Sequence, residues 1–217
     1  MAPVRVKICG ITNPGDALQA AQVGADAIGL NFSDQSPRRI DPGTAHSVLR
    51  ELPPFIEAVG VFTNLPLRQV FDQLNQLGAV RTFQWYGENR ELADPFPFRL
   101  IAAFPVRDQQ SLVAIDRYLD LCRNLGKLPA AVLVDAHVPG QFGGTGKTVP
   151  WNLLANYRPG VPLILAGGLT PENVASAVRL VRPYAVDVAS GVESHPGHKD
   201  PDKVRRFIAN AREAAAK

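Results

Sequence analysis

The chain alternates short apolar segments with longer amphipathic or charged segments from its fourth residue onward. A parallel sheet with crossover helices produces this pattern, because its strands are buried and each helix buries one face. The strand–helix pair occurs eight times within 217 residues. Eight units in a chain of this length predict an α/β fold, a (β/α)8 or TIM barrel, as a single domain over residues 1–217.

The predicted strands are short apolar runs, each followed by a polar or glycine-rich loop. They cover residues 4–9, 26–32, 57–62, 80–84, 98–104, 130–135, 162–166 and 184–189. The helix predicted over residues 88–93 has the weakest pattern. An open, doubly wound sheet is the alternative fold, and it carries a glycine-rich turn after its first strand. Residues 9–12 contain one glycine, which favours the barrel.

The first predicted strand carries its polar residues on one face. Alternation places Arg5, Lys7 and Cys9 on one side and three aliphatic residues on the other. A closed barrel accommodates this better than an open sheet under two layers of helices, because polar side chains can be paired inside the barrel. Lys7 therefore requires an interior carboxylate.

Several classes of protein are disfavoured by composition. No run reaches the roughly 18 apolar residues of a membrane helix, and residues 1–5 show no signal-peptide pattern, so we expect a cytoplasmic protein without a membrane partner. The net charge of +3 is scattered, which argues against nucleic acid as a partner. It suits a small anionic ligand, with a plain solvated surface as the alternative.

The two cysteines have different expected roles. Cys9 and Cys122 lie far apart without metal-ligand spacing, so we expect neither a disulfide nor a metal site. Cys122 falls on the apolar stripe of a predicted helix and should lie in the core. Cys9 ends a strand and is followed by glycine, which places its thiol where barrels bind ligands.

Cys9 and Asp135 are the candidate catalytic pair. Each ends a predicted strand, and a thiol with a carboxylate can supply one proton donor and one acceptor. The ordinary alternatives are a buried thiol that only packs and a carboxylate that anchors a loop.

Two glycine turns follow the seventh and eighth predicted strands, where barrels bind phosphate through backbone N–H groups. Gly167 and Gly168 precede a helix that we expect to start at Thr170, and Ser190 and Gly191 follow the last strand. Side chains at the glycines would hold phosphate oxygens away from the amides. Plain tight turns are the alternative.

The loop over residues 136–148 is long and rich in glycine, which favours a mobile lid. It does not match the phosphate-binding P-loop, because Gln141 stands where the first glycine is required. Arg38 can present a planar fork to a carboxylate, although a solvated arginine is the more ordinary case.

Seven segments carry a family resemblance when they are taken together and in order. They are Lys7-Ile8-Cys9-Gly10-Ile11-Thr12, Gly24-Ala25-Asp26-Ala27-Ile28-Gly29, Ser36-Pro37-Arg38, Val59-Gly60-Val61-Phe62, Gly143-Gly144-Thr145-Gly146-Lys147, residues 166–174 and residues 186–193. They resemble the phosphoribosylanthranilate isomerases of tryptophan biosynthesis over essentially the whole chain.

The resemblance implies a cofactor-free Amadori rearrangement of N-(5-phosphoribosyl)anthranilate to 1-(2-carboxyphenylamino)-1-deoxyribulose 5-phosphate. In this family Asp135 would match the general acid and Cys9 the general base. Arg38 would match the residue that contacts the anthranilate carboxylate, and the two glycine turns the phosphate site.

Further residues complete the predicted site. We count Gln84, Gly143 and Gly144 among the substrate-binding residues and expect no metal. Asp187 shares the inward parity of Lys7, so we predict that the two pair.

The chain departs from the family pattern after its fourth strand. Residues 84–87 read Gln-Trp-Tyr-Gly where the family commonly has Gln-Leu-His-Gly, so Tyr86 stands in place of a histidine. Three alternatives to this function remain: another aminoaldose-phosphate isomerase, a dual-substrate isomerase, and a non-catalytic phosphate-binding barrel. The sequence leaves open whether the protein is a monomer or a homodimer.

Overall fold

The computed structural model describes residues 3–87, 97–135 and 151–216. Within them, eight parallel strands form a closed barrel in chain order, and β1 pairs with both β2 and β8. The strands are β1 (Arg5–Cys9), β2 (Ala27–Asn31), β3 (Glu57–Thr63), β4 (Thr82–Tyr86), β5 (Arg99–Pro105), β6 (Ala131–Asp135), β7 (Leu163–Ala166) and β8 (Ala185–Val188). The closure confirms the predicted barrel and excludes the open sheet.

Helices follow the strands on the outside of the barrel. They are α1 (Pro14–Gln22), α2 (Pro42–Glu51), α3 (Leu67–Leu77), α4 (Gln109–Asn124), α5 (Trp151–Leu154), α6 (Val174–Val181) and α7 (Pro201–Ala216). Cys122 is fully buried on α4, as predicted. The helix predicted over residues 88–93 and the loop predicted over residues 136–148 lie outside the described residues, as do Gly143 and Gly144.

Strand alternation divides the buried residues into two clusters. The larger lies between the barrel and its helices and includes Ile8, Phe83 and Phe207. The smaller consists of residues of the opposite parity, such as Ile101 and Leu133, and fills the barrel interior. A polar side chain of that parity is therefore enclosed by the barrel.

The fourth strand lies two residues later than the sequence predicts, at Thr82–Tyr86 instead of residues 80–84. Its outward residues Phe83 and Trp85 are buried against the outer layer, while Thr82, Gln84 and Tyr86 share the inward parity. Gln84 therefore lies in the middle of the strand, and Tyr86 ends it.

The sixth helix also begins later than predicted, at Val174 instead of Thr170. The side-chain oxygen of Asn173 accepts a hydrogen bond from the Thr170 N–H at 2.8 Å, and its amide donates to the Gly168 carbonyl at 2.9 Å. These two bonds hold residues 168–173 as a turn, so the helix starts after them.

A short hairpin that the sequence analysis did not predict follows β8. A 3-10 turn over Ser190–Val192 leads into β9 (Glu193–His195), which pairs with β10 (His198–Lys199) in antiparallel fashion. The hairpin returns the chain toward the barrel mouth, where Lys199 is buried.

The barrel interior contains the predicted ion pair. Lys7 and Asp187 are direct register partners on β1 and β8, and Lys7 Nζ lies 3.0 Å from Asp187 Oδ1. Both side chains are less than a tenth exposed. Burial by itself lowers the pKa of Lys7, but Asp187 and Cys9 outweigh it and raise that pKa, so the ammonium stays charged.

We predict that Lys7→Met lowers the free energy of unfolding by about 3–5 kcal/mol, because it leaves Asp187 buried without its cation. Urea denaturation at pH 7 measures the loss. The matched control is Arg205→Met, which breaks the exposed Arg205–Asp202 pair and should cost less than about 1 kcal/mol. Equal losses in the two variants would contradict the interior role of Lys7.

Candidate active site

The two predicted catalytic residues end strands of the barrel with the same inward parity. Cys9 is the last residue of β1 and Asp135 the last residue of β6. Cys9 is buried, while Asp135 is partly exposed. Both therefore lie at the carboxyl-terminal mouth of the barrel, where enzymes of this architecture carry their chemistry.

A glycine makes room for the thiol. Gly29 is the register partner of Cys9 on β2, and a Cβ at this position would come within 2.7 Å of Cys9 Sγ and 3.1 Å of Lys7 Nζ. A larger residue would therefore displace both side chains. The absence of a side chain at residue 29 therefore sets where the thiol and the ammonium lie.

The thiol lies in a mixed electrostatic environment. Burial raises the pKa of Cys9, and it outweighs the neighbouring ammonium groups of Lys7 and Lys199, which lower that pKa. Asp187 raises it further. Without substrate, Cys9 is thus held mainly as the neutral thiol.

A chain of hydrogen bonds crosses the barrel mouth and ends at Asp135. Lys7 Nζ donates to Gln84 Oε1 at 3.0 Å, and Gln84 Nε2 donates to the Tyr86 hydroxyl at 3.1 Å. The Tyr86 hydroxyl in turn lies 3.1 Å from Asp135 Oδ2. Gln84, which the sequence analysis counted as substrate-binding, is almost completely buried and connects Lys7 to this chain. The contact between Tyr86 and Asp135 was not foreseen.

Arg38 presents its guanidinium fork to a carboxylate, and that carboxylate belongs to the protein. Its Nε and Nη2 atoms each lie 2.7 Å from one oxygen of Glu193. Such a bidentate pair fixes the plane of the guanidinium. The predicted contact of Arg38 with the substrate carboxylate stays a prediction.

Glu193 also binds a second cation. Lys199 Nζ lies 2.9 Å from Glu193 Oε1 and donates to the Ala189 carbonyl at 3.2 Å. Burial by itself raises the pKa of Glu193, but hydrogen bonds from Arg38 and Lys199 outweigh it and lower that pKa, so the carboxylate stays ionised. The sequence analysis gave neither Glu193 nor Lys199 a role. The available signal was a carboxylate directly after the last glycine turn.

The two predicted phosphate turns lie against each other. A Cβ at Gly191 would overlap the backbone carbonyl of Leu169, in the turn that follows Gly167 and Gly168. Gly167 and Gly168 both have positive φ, at 87° and 64°, which favours glycine. Ser190 begins the 3-10 turn beside them. The structure thus brings the four predicted residues to one surface, and their binding of phosphate stays a prediction.

The described ranges contain neither a candidate metal-ion cluster nor a candidate membrane span. No three His, Cys, Asp or Glu side chains in residues 3–87, 97–135 and 151–216 are grouped so as to hold a metal ion. Among the helices of these ranges, none is both long enough and apolar enough to cross a lipid bilayer.

Comparison with known proteins gives one consistent family. The family model for N-(5′-phosphoribosyl)anthranilate (PRA) isomerase matches residues 6–210. An N-(5′-phosphoribosyl)anthranilate isomerase from Geobacter sulfurreducens is 47% identical over 210 residues, which are 96% of this chain and 98% of that protein.

Solved structures agree. One reports monomers generated from the dimeric phosphoribosylanthranilate isomerase of Thermotoga maritima; its TM-score is 0.81 at 38% identity, over 97% of this chain and 99% of that one. Another is a phosphoribosylanthranilate isomerase in complex with reduced 1-(o-carboxyphenylamino)-1-deoxyribulose 5-phosphate, with the same TM-score, identity and coverage. The chain therefore belongs to the N-(5′-phosphoribosyl)anthranilate isomerase family.

Proposed function

We propose that this chain isomerises N-(5′-phosphoribosyl)anthranilate to 1-(2-carboxyphenylamino)-1-deoxyribulose 5-phosphate, a step of tryptophan biosynthesis. Family membership supports the reaction, as does the solved relative that binds a reduced form of this product. The observation that carries the proposal is the pairing of a buried thiol, Cys9, with a carboxylate, Asp135, at the mouth of one barrel. A barrel that only bound a phosphate ligand would need the glycine turns but not both of these groups.

The proposed reaction begins with ring opening. Asp135 transfers its proton to the furanose ring oxygen, which takes the electron pair of the bond to C1. The lone pair of the anthranilate nitrogen forms the C1–N double bond of an iminium. The ring oxygen is a poor leaving group until it is protonated, so this step needs a general acid such as the Asp135 carboxyl group.

The second step moves a hydrogen from C2 to C1. Cys9, as the thiolate, removes the C2 proton, and the electron pair of that C–H bond forms the C1–C2 double bond of an enolamine. The iminium electrons return to nitrogen. The enolamine then tautomerises to the ketone by taking a proton at C1 and losing the proton of its C2 hydroxyl, so the sequence needs no external oxidant or reductant.

The protein would bind the substrate at its two ends, away from the carbons that react. In this proposal Arg38 contacts the anthranilate carboxylate while Glu193 fixes its guanidinium. The phosphate binds the turns at Gly167-Gly168 and Ser190-Gly191. Two remote anchors align C1 and C2 between the acid and the base, which lowers the entropic part of the barrier.

A cytoplasmic location is part of the proposal. The reaction uses Cys9 as a free thiol, and neither Cys9 nor Cys122 forms a disulfide in the structure. A reducing compartment keeps such thiols in this form.

We also propose that the protein is a homodimer. Phe55, in the segment between α2 and β3, is 96% exposed. An open cavity of about 740 Å³ lies at the same amino-terminal end of the barrel, between the segments that precede β1, β7 and β8. Phe55 of each copy would enter the cavity of the other, forming a symmetric contact. The dimeric relative from Thermotoga maritima supports this assembly.

We expect Cys9→Ser and Asp135→Asn each to lower kcat by about a hundredfold or more, because each removes one proton-transfer group. The loss of fluorescence of freshly prepared phosphoribosylanthranilate measures turnover. Cys122→Ala, which changes the other buried thiol, should keep kcat near that of the wild type. An inactive wild type would refute the proposed reaction, whereas full rate in either site variant would refute the role of that residue.

The raised pKa of Cys9 predicts that alkylation of its thiol becomes faster as the pH increases. The thiolate is the active form and its pKa lies above the ordinary value of about 8.5, so few molecules carry the base at neutral pH. We expect the rate of Cys9 alkylation by iodoacetamide to rise between about pH 7 and 9, because only the thiolate reacts. Cys122 should stay unmodified in the native protein. An alkylation midpoint well below about pH 8.5 would contradict the prediction.

Phe55→Asp should convert a dimer to a monomer, because it would bring a charge into the apolar contact. Sedimentation equilibrium measures the mass. Leu121→Asp is the control, since Leu121 is also an exposed apolar residue but lies on α4. A monomeric wild type, or an unchanged dimer of Phe55→Asp, would contradict the proposed contact.

A further inference from the structure

We propose that Tyr86 is a positioning residue for Asp135: its hydroxyl proton points at the Asp135 carboxylate and stabilises the charge formed when Asp135 gives up its own proton. The inference rests on the proposed function, in which Asp135 is the general acid. It assigns Tyr86, which stands where the family commonly has histidine, a defined part in the ring-opening step.

The direction of each hydrogen bond in the chain follows from its first member. A lysine ammonium can only donate, so the group of Gln84 that faces Lys7 at 3.0 Å is its carbonyl oxygen. The amide nitrogen of Gln84 then faces Tyr86 and donates to the hydroxyl oxygen at 3.1 Å. The single proton of that hydroxyl is left for Asp135 Oδ2, at 3.1 Å.

The strand geometry holds this direction in place. Gln84 and Tyr86 are two residues apart on β4 and share its inward face, so their side chains lie side by side. Lys7 cannot turn away, because it is also paired with Asp187 at 3.0 Å. Reversing the Gln84 amide would place its NH2 group against the ammonium, which leaves two donors in contact inside the barrel.

Tyr86 can act in this way because it stays neutral. Burial raises the pKa of its hydroxyl well above the usual value, and Asp135, Asp187 and Cys9 raise it further. The phenol is therefore a donor throughout the pH range in which Asp135 changes its charge.

The bond gains strength as the reaction proceeds. A donor aimed at a neutral carboxyl group contributes little, whereas the same donor on a carboxylate forms a charge-assisted hydrogen bond. The gain appears as Asp135 loses its proton, so it favours the transition state over the ground state. The same bond favours the ionised form of Asp135 and thus lowers its pKa.

The ionisable groups around this contact come from several strands. Lys7 and Cys9 on β1, Tyr86 on β4 and Asp187 on β8 face the barrel mouth with Asp135. Lys199 acts on Cys9 from the hairpin, and Glu193 with Arg38 lies next to Lys199. On the strands that flank β6, the residues opposite Asp135 are Pro105 and Ala166, and neither has an ionisable side chain.

The test is Tyr86→Phe, which removes the hydroxyl and keeps the ring. We expect kcat to fall by about tenfold to a hundredfold with KM changed by less than about threefold, the effect of losing one hydrogen bond to a charged group. The pKa of Asp135 should rise because its carboxylate loses a donor. The limb of the pH profile that reports Asp135 should therefore move to higher pH, while the limb that reports Cys9 stays in place.

The matched control is Tyr157→Phe. The Tyr157 hydroxyl also donates to an aspartate, Asp116 at 2.8 Å, but this pair lies on the outside of the protein. Tyr157→Phe should leave kcat and both limbs of the pH profile unchanged. Tyr86→His restores an N–H donor and should recover part of the lost rate, and it serves as the second variant if Tyr86→Phe folds poorly in thermal unfolding.

The outcomes separate this inference from the proposed function. An inactive wild type would remove the function and the inference together. An active wild type with an inactive Asp135→Asn and a fully active Tyr86→Phe would overturn the inference alone. The inference would also be overturned if Tyr86→Phe were slower but the limb that reports Asp135 did not move. The same holds if Tyr86→His were no faster than Tyr86→Phe. Either result would mean that Tyr86 has a structural role only.

Discussion

The ion pair between Lys7 and Asp187 is the interaction on which the rest of the site depends. An ammonium group inside a barrel is costly unless a carboxylate lies within hydrogen-bond distance, and Asp187 is such a partner at 3.0 Å. The two residues belong to the first and last strands, so the pair forms only when the barrel closes. Closure of the fold and neutralisation of the interior charge are therefore one event.

The proposed catalytic groups are both arranged around this pair. Cys9 lies two residues beyond Lys7 on the same face of β1, where the ammonium favours its thiolate while burial opposes it. Asp135 lies on the far side of the mouth and is connected to Lys7 through Gln84 and Tyr86. One buried cation thus acts on the proposed base by its charge and on the proposed acid by orienting hydrogen bonds.

A second buried carboxylate plays the corresponding part at the edge of the mouth. Glu193 holds Arg38 by two bonds and Lys199 by one; Arg38 is 155 positions away along the chain, whereas Lys199 lies opposite Glu193 in the hairpin. Because Arg38 binds both oxygens of Glu193, its guanidinium is held in one orientation. The proposed anchor for the substrate carboxylate is thus oriented by the protein itself.

The sequence by itself determined the barrel and the inward face of its first strand. The count of eight units, the parity of Lys7 and the strand-end positions of Cys9 and Asp135 follow from local periodicity, which tertiary contacts did not alter. Asp187 could be named as the partner of Lys7 for the same reason. The start of α6 was placed too early, because side-chain bonds of Asn173 hold the preceding turn.

Only the tertiary structure decided which polar groups meet across the barrel. Arg38 and Glu193 are 155 positions apart and Tyr86 and Asp135 are 49 apart, so no local pattern records either contact. The tertiary structure also decided the position of β4, which lies two residues later than predicted, because this position depends on pairing with β3 and β5. Local periodicity fixes which face of a strand a residue occupies, whereas the register between strands fixes which residue it touches.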